Sequence, residues 1–155
     1  MKLGVLTVVL SQMEMGKAMK YLADSGVQAV EIGTGGFPGN AHCKPEILLN
    51  DDRKLEEFKQ AVYGNGLEIS ALSCHGNPVH PNKEIAKKFH DEFINTILLA
   101  EKLGIDRITA YKVGYCSRAY AHVCSCGAVN IAITNKRLAS FGLISMLDYY
   151  TERCV

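Results

Sequence analysis

The chain has 155 residues, of which 48% are hydrophobic and 21% are charged, a balance typical of one globular domain. Its formal net charge of +1 argues against a general attraction to nucleic acid or to an anionic membrane surface. No apolar run approaches the roughly 18 to 20 residues that span a bilayer, and the opening run lacks the features of a secretory signal. The six cysteines show no spacing typical of a disulfide framework. We therefore expect a cytoplasmic protein with no membrane partner.

The predicted elements are strands that alternate with helices. The apolar, β-rich opening run predicts a first strand over Lys2–Leu10. Apolar residues at helical spacing then predict three helices, over Met13–Asp24, Asn50–Asn65 and Asn82–Gly104. A short β-rich run follows each helix, in the sequences SGVQAVEIG, NGLEISALS and LGIDRITAY. The order βαβαβαβ favours a parallel sheet with right-handed crossovers.

A glycine precedes each of the three later strands, at Gly26, Gly66 and Gly104. Glycine is favoured at the end of a helix because it adopts the left-handed conformation without a Cβ penalty. These glycines lie 40 and 38 residues apart, a period that indicates a repeated supersecondary unit. In such folds the loops after the strands carry function. We therefore expect GTGGFPGNAHC and CHGNPVHP to lie on the same rim of the sheet.

Four polar residues at or after the strand ends are candidates for a site. His75 follows the third strand, and its imidazole could bind a metal or carry a proton, or could simply bond the loop backbone. Glu31 stands in the apolar run AVEIG, where a carboxylate is costly unless it is functional or forms a buried salt bridge. Asn77 and His80 could contact a ligand or could only shape the turn.

The stretches VEIGTGGFPGNAHC, LEISALSCHGNPVHP and LAEKLGIDRI resemble the sugar phosphate isomerase/epimerase family of xylose isomerase-like TIM barrels, over residues 1–109. The resemblance implies an α/β fold, the N-terminal half (β1-α1-β2-α2-β3-α3-β4) of a (β/α)8 barrel, with its active site at the C-terminal mouth of the strands. It implies an enzyme of carbohydrate metabolism that acts on a sugar or sugar phosphate. A divalent metal (Mn, Mg, Co or Zn) would polarise the sugar while carboxylates move a proton next to its carbonyl.

By the same resemblance the substrate-binding residues would be Glu31, His75, Asn77 and His80. His75 matches the histidine of the family's third strand, which makes it the candidate metal ligand. The family's main metal ligands and its catalytic carboxylates lie on later strands, so no catalytic residue is assigned. Two other functions stay open, a non-catalytic half-barrel that assembles with a partner or as a homo-oligomer, and a DNA-repair enzyme like endonuclease IV. The net charge of −2 over residues 1–109 disfavours DNA binding.

Residues 110–155 have a different character. They hold four of the six cysteines and seven charged residues, against 26 charged residues in residues 1–109. The period of about 40 residues does not continue there. Our hypothesis is that this divergent tail is out of frame or otherwise foreign to the barrel, so that the chain is an N-terminal half. We therefore expect a truncated enzyme that does not turn over substrate alone.

Overall fold

The computed structural model describes residues 2–78, 80–111 and 128–132. A five-stranded sheet has the order β1 to β5, with strands Gly4–Leu6, Ala29–Gly36, Glu68–His75, Arg107–Tyr111 and Ala128–Ala132. The first four strands are parallel, and β5 is antiparallel to β4. A 3-10 helix, Thr7–Leu10, precedes four α-helices, α1 to α4, at Met15–Asp24, Pro45–Leu48, Asp52–Tyr63 and Lys83–Leu103. The alternation of helices with parallel strands confirms the prediction of a partial TIM barrel.

Local signals in the sequence fix the ends of the long helices. The Asp51 side chain accepts a hydrogen bond from the backbone N–H of Lys54 at the start of α3. The Asn82 side chain does the same for the first turn of α4, which ends at Gly104 with φ of 71°. Caps of this kind depend on residues close together in the sequence, so the sequence can indicate where a helix ends. The three predicted helices are confirmed, with only small changes at their ends.

The helices cover one face of the sheet. Strand residues Val30, Ile32, Leu72 and Ile108 are buried in one apolar cluster with helical residues such as Ile97. Since successive side chains of a strand point to opposite faces, the alternate residues of β2, β3 and β4 point away from the helices. We call this second side of the sheet the inner face, because a closed barrel would enclose it.

Two strand boundaries differ from the predictions. The first strand stops at Leu6, its last pairing with β2, and Thr7–Leu10 forms the 3-10 helix, in which Val9 is largely exposed. The second strand continues to Gly36, although Gly33–Gly36 was predicted to be a loop. These glycines pair with Ser73, Cys74 and His75 of β3, and such long-range pairing outweighs the weak strand propensity of glycine.

Neither α2 nor β5 was predicted. In the described ranges, no helix is long and apolar enough to cross a membrane. The interpretation of residues 110–155 as a divergent tail lies outside the described residues, apart from residues 110–111 and 128–132.

Candidate functional site

Four polar side chains share the inner face of the sheet. His75 is the last residue of β3, and Ser73 lies two residues earlier on the same face. Thr109 of β4 is the register partner of Ser73. Glu31 of β2 is the register partner of Ala71, so that it lies on the same side of the ladder. We call these four residues, Glu31, Ser73, His75 and Thr109, the inner-face cluster.

His75 is half-buried at the end of its strand. Its Nε2 lies 2.9 Å from the Ser73 hydroxyl oxygen. Burial lowers the pKa of His75 below its usual value, because the protein solvates the imidazolium less well than water does, and the negative charge of Glu31 partly opposes this. The imidazole is therefore predominantly neutral at neutral pH, a state in which it can donate a hydrogen bond from one nitrogen and accept one at the other.

Glu31 is the third residue of β2. The prediction that Glu31 lies at the end of this strand is therefore wrong. Its carboxylate is half-buried and accepts a hydrogen bond of 2.5 Å from the Thr109 hydroxyl. Within the described part of the chain, no lysine or arginine pairs with it, so the alternative of a buried salt bridge finds no support there.

The other two predicted site residues follow β3 in the turn that leads to α4. Asn77 is buried, and its backbone carbonyl oxygen accepts a hydrogen bond from the His80 backbone N–H at 3.2 Å. The His80 Nδ1 accepts a hydrogen bond from the Asn82 backbone N–H at 3.0 Å. These contacts support a turn-shaping role for both residues, and their contact with a substrate stays a prediction.

Three backbone amides at the glycine-rich end of β2 already have hydrogen-bond acceptors within the protein. The Gly36 N–H donates to the Glu92 carboxylate at 2.8 Å, and the Phe37 N–H donates to the His75 carbonyl at 2.6 Å. The Gly39 N–H donates to the Gly36 carbonyl at 3.1 Å. These three amides are therefore engaged in holding the rim together, and the rim differs from a phosphate-binding loop.

The described residues do not assemble a metal site on their own. Within residues 2–78 and 80–110, no three His, Cys, Asp or Glu side chains lie close enough together to hold a metal ion. The Nε2 of His75 is engaged by Ser73, and divalent metals in enzymes usually require several protein ligands. Metal binding by His75 therefore stays a prediction, and no chemical step below depends on it.

A groove lies on the helical side of the molecule. It has a volume of about 420 Å³ and is lined by Asn40, Glu46, Glu84, Lys87, Lys88, Asp91, Glu92 and Asn95. Its lysines are paired with acidic neighbours one helical turn away. The groove contains no member of the inner-face cluster.

Sequence reasoning identified Glu31 and His75 but missed Ser73 and Thr109. The alternation of β3 contained a usable signal, because Ser73 precedes His75 by two residues and must share its face. Thr109 had no comparable signal, since its contact with Glu31 depends on how β2, β3 and β4 are aligned.

Comparison with known proteins identifies a matching family model and a related bacterial protein. The model of a family described as xylose isomerase-like TIM barrel matches residues 19–128. The uncharacterised protein YfiH of Bacillus subtilis (strain 168) is 32% identical over 108 residues, which are 70% of this chain and 34% of that protein. The chain therefore spans about a third of the length of this curated relative.

Two solved structures share the fold. One is a D-psicose 3-epimerase with D-tagatose from Clostridium cellulolyticum H10, with a TM-score of 0.53 and 17% identity, covering 99% of this chain and 50% of that one. The other is a D-psicose 3-epimerase in the presence of D-fructose, with a TM-score of 0.50 and 15% identity, covering 79% and 41%. At these identities the likeness concerns the fold alone.

Proposed function

This chain belongs to the family of xylose isomerase-like TIM barrels, and on that premise we propose that its inner face binds a sugar for isomerisation or epimerisation. The observation that carries the proposal is the presence of an ionisable carboxylate and an imidazole, Glu31 and His75, in one cluster at the inner face. Active sites of TIM barrels lie at the C-terminal ends of the strands. The two structural neighbours named as D-psicose 3-epimerases support a ketose as the ligand.

The reaction we propose removes a proton from the carbon next to the sugar carbonyl. Returning a proton to the opposite face of that carbon epimerises the sugar, and returning it to the former carbonyl carbon isomerises it. Both outcomes require the sugar to be held in one orientation and the negative charge on oxygen to be stabilised. A divalent metal would supply that stabilisation, and within residues 2–78 and 80–110 no three His, Cys, Asp or Glu side chains lie close enough together to hold one.

Within this proposal the described residues form the part of the pocket that binds substrate. The Glu31 carboxylate accepts hydrogen bonds from sugar hydroxyl groups, while the contact of His75 Nε2 with Ser73 leaves Nδ1 as the ring nitrogen for a sugar contact. The Asn77 amide offers a further contact at the rim. Because the neighbouring rim amides are already engaged, this part of the pocket favours hydroxyl groups over phosphate. A phosphate, where the substrate carries one, would bind outside it.

Binding is tested by saturation-transfer NMR with D-fructose and D-tagatose. The Glu31→Gln variant should lose the transfer signal, because an amide replaces one acceptor oxygen with a donor. The matched control is Glu57→Gln, which changes an exposed glutamate on α3 that pairs with Arg53. An equal signal from both variants, or none from the unmodified chain, would remove the support for the proposal.

The reaction is tested by incubating the chain with D-fructose in D2O, with and without added Mn²⁺. With the unmodified chain we expect sugar binding without deuterium at the carbon next to the carbonyl, because no catalytic residue is assigned in this chain. Deuterium incorporation would contradict that expectation, and at least a tenfold slower incorporation with Glu31→Gln, on the order of one lost hydrogen bond to a charged group, would then assign Glu31 to the reaction. Sugar binding without exchange would restrict the function of this chain to binding.

A further inference from the structure

Two hydroxyl groups lie next to the two groups that the proposed function uses. Ser73 and Thr109 are register partners on β3 and β4, so their side chains project side by side from the inner face. The Ser73 hydroxyl lies 2.9 Å from His75 Nε2, and the Thr109 hydroxyl lies 2.5 Å from Glu31 Oε1. This pair of register partners therefore contacts both the imidazole of His75 and the carboxylate of Glu31.

The need of the buried Ser73 hydroxyl for an acceptor favours one tautomer of the imidazole. The serine is fully buried, and a buried hydroxyl that donates no hydrogen bond costs about 1–3 kcal/mol. Among the described residues its side-chain partner is His75 Nε2. When the hydroxyl donates to Nε2, that nitrogen must carry the lone pair, and the ring proton must reside on Nδ1.

The contact of Thr109 fixes the carboxylate in a similar way. The hydroxyl donates and Glu31 Oε1 accepts, at a length typical of a bond from O–H to a charged oxygen. A second, longer approach of the same hydroxyl to the Leu72 carbonyl, at 3.4 Å, competes only weakly. The bond anchors a side chain of β2 to β4 across β3, and it selects one rotamer of the glutamate.

We infer that Ser73 and Thr109 are positioning residues, a hydroxyl pair that sets the tautomer of His75 and the orientation of Glu31 toward the ligand. The inference rests on the proposed function for the statement that these two groups meet a sugar. Neither hydroxyl needs to touch the sugar itself. Because both are attached to strands paired in register, they hold the imidazole and the carboxylate relative to the same section of backbone.

The direct test is the tautomer of His75, read from its imidazole ¹⁵N chemical shifts at a pH where the ring is neutral. The unmodified chain should show the form with the proton on Nδ1. Ser73→Ala should shift the ring toward the mixture of forms found in an exposed histidine. The matched control is Ser70→Ala, which removes a hydroxyl from the same strand that bonds the Val30 carbonyl at 3.1 Å and should leave the tautomer unchanged.

Thr109 is tested with Thr109→Val, which keeps the shape and removes the hydroxyl, and with Thr109→Ser, which retains it. The carboxyl ¹³C shift of Glu31 should change in the valine variant and return in the serine variant. Sugar binding should weaken in the valine variant by a factor on the order of ten, the value of one such hydrogen bond, and should recover in the serine variant.

The outcomes separate this inference from the proposed function. A proton on Nε2 in the unmodified chain, or an equal effect of Ser70→Ala, would overturn the role of Ser73. An unchanged Glu31 shift in Thr109→Val would overturn the role of Thr109. If both NMR results are as expected and no sugar binds, the positioning of the two groups stands and the proposed function fails.

Discussion

Replacing Gly36 by alanine perturbs the contact between the end of β2 and the backbone of His75. Gly36 has φ of +65°, and a Cβ built on it would overlap the carbonyl oxygen of His75. The two residues are register partners, and the next amide, that of Phe37, donates to the same carbonyl at 2.6 Å. Gly39 supplies the control, because its φ is +71° and nothing lies within 4 Å of the position of its Cβ.

Comparing alanine substitutions at Gly36 and Gly39 separates the free-energy cost of backbone strain from that of steric overlap. An L-residue in the left-handed conformation costs roughly 1–2 kcal/mol, and a gain of roughly 0.4–1 kcal/mol from the less flexible unfolded chain offsets part of it. Both terms apply equally to Gly39→Ala. Only Gly36→Ala must also move the end of β3, and forcing extra volume into a packed site costs roughly 1–3 kcal/mol. We therefore expect Gly36→Ala to lose about 1–3 kcal/mol more stability than Gly39→Ala.

Urea denaturation followed by far-ultraviolet circular dichroism measures this difference. With a slope of about 1–3 kcal/mol per molar urea, the midpoint for Gly36→Ala should fall on the order of 1 M below that for Gly39→Ala. The slopes should agree, so that the midpoints report stability. Equal midpoints for the two variants would refute the close packing of β2 against the His75 backbone.

Three further predictions concern other parts of the fold. Leu72→Ala should lower the free energy of unfolding by about 2–5 kcal/mol in urea denaturation, because Leu72 is fully buried in the core. The control Leu98→Ala changes a residue that is 40% exposed and should lower the free energy of unfolding clearly less. Glu92→Ala should cost about 1–3 kcal/mol by removing the acceptor of the Gly36 N–H, whereas Glu92→Gln should retain most of the stability. Burial, with a smaller contribution from the charge of Glu46, raises the pKa of the Cys43 thiol well above its usual value. Alkylation at mildly alkaline pH, measured at the peptide level, should therefore label Cys43 only after unfolding. Rapid labelling of the folded chain would contradict this burial.

The helices could be predicted because their signals are local. Apolar residues at helical spacing define the buried stripe of α4, Asn82 caps its start, and Gly104 ends it in the left-handed conformation. Each of these signals acts within a few residues along the chain. The sequence alone was therefore sufficient to place α1, α3 and α4 to within a few residues of their ends.

The strand ends could not be predicted in the same way. Gly33–Gly36 has the composition of a loop, and it is a strand because β3 supplies pairing partners about 40 residues away. The run after Leu6 has the composition of a strand, but its pairing with β2 ends there. In both places the long-range contact decides the structure, and local propensity is a poor guide.

The residues of the candidate site also divide into those that local sequence identifies and those that depend on long-range pairing. Glu31 and His75 are unusual residues in apolar or glycine-rich surroundings, so each could be recognised singly. Ser73 and Thr109 are ordinary strand residues, and their importance depends on the register that places them beside the imidazole and the carboxylate.

Mapping sugar binding onto the assigned ¹H–¹⁵N spectrum of the chain tests the central claim most directly. Addition of D-fructose or D-tagatose should shift the amide signals of the inner-face cluster and of Asn77, and should leave the groove along α4 unchanged. Shifts confined to the groove residues, such as Glu84, Lys87 and Asp91, would place the ligand on the opposite side of the sheet. That result would contradict an inner-face site built on Glu31 and His75.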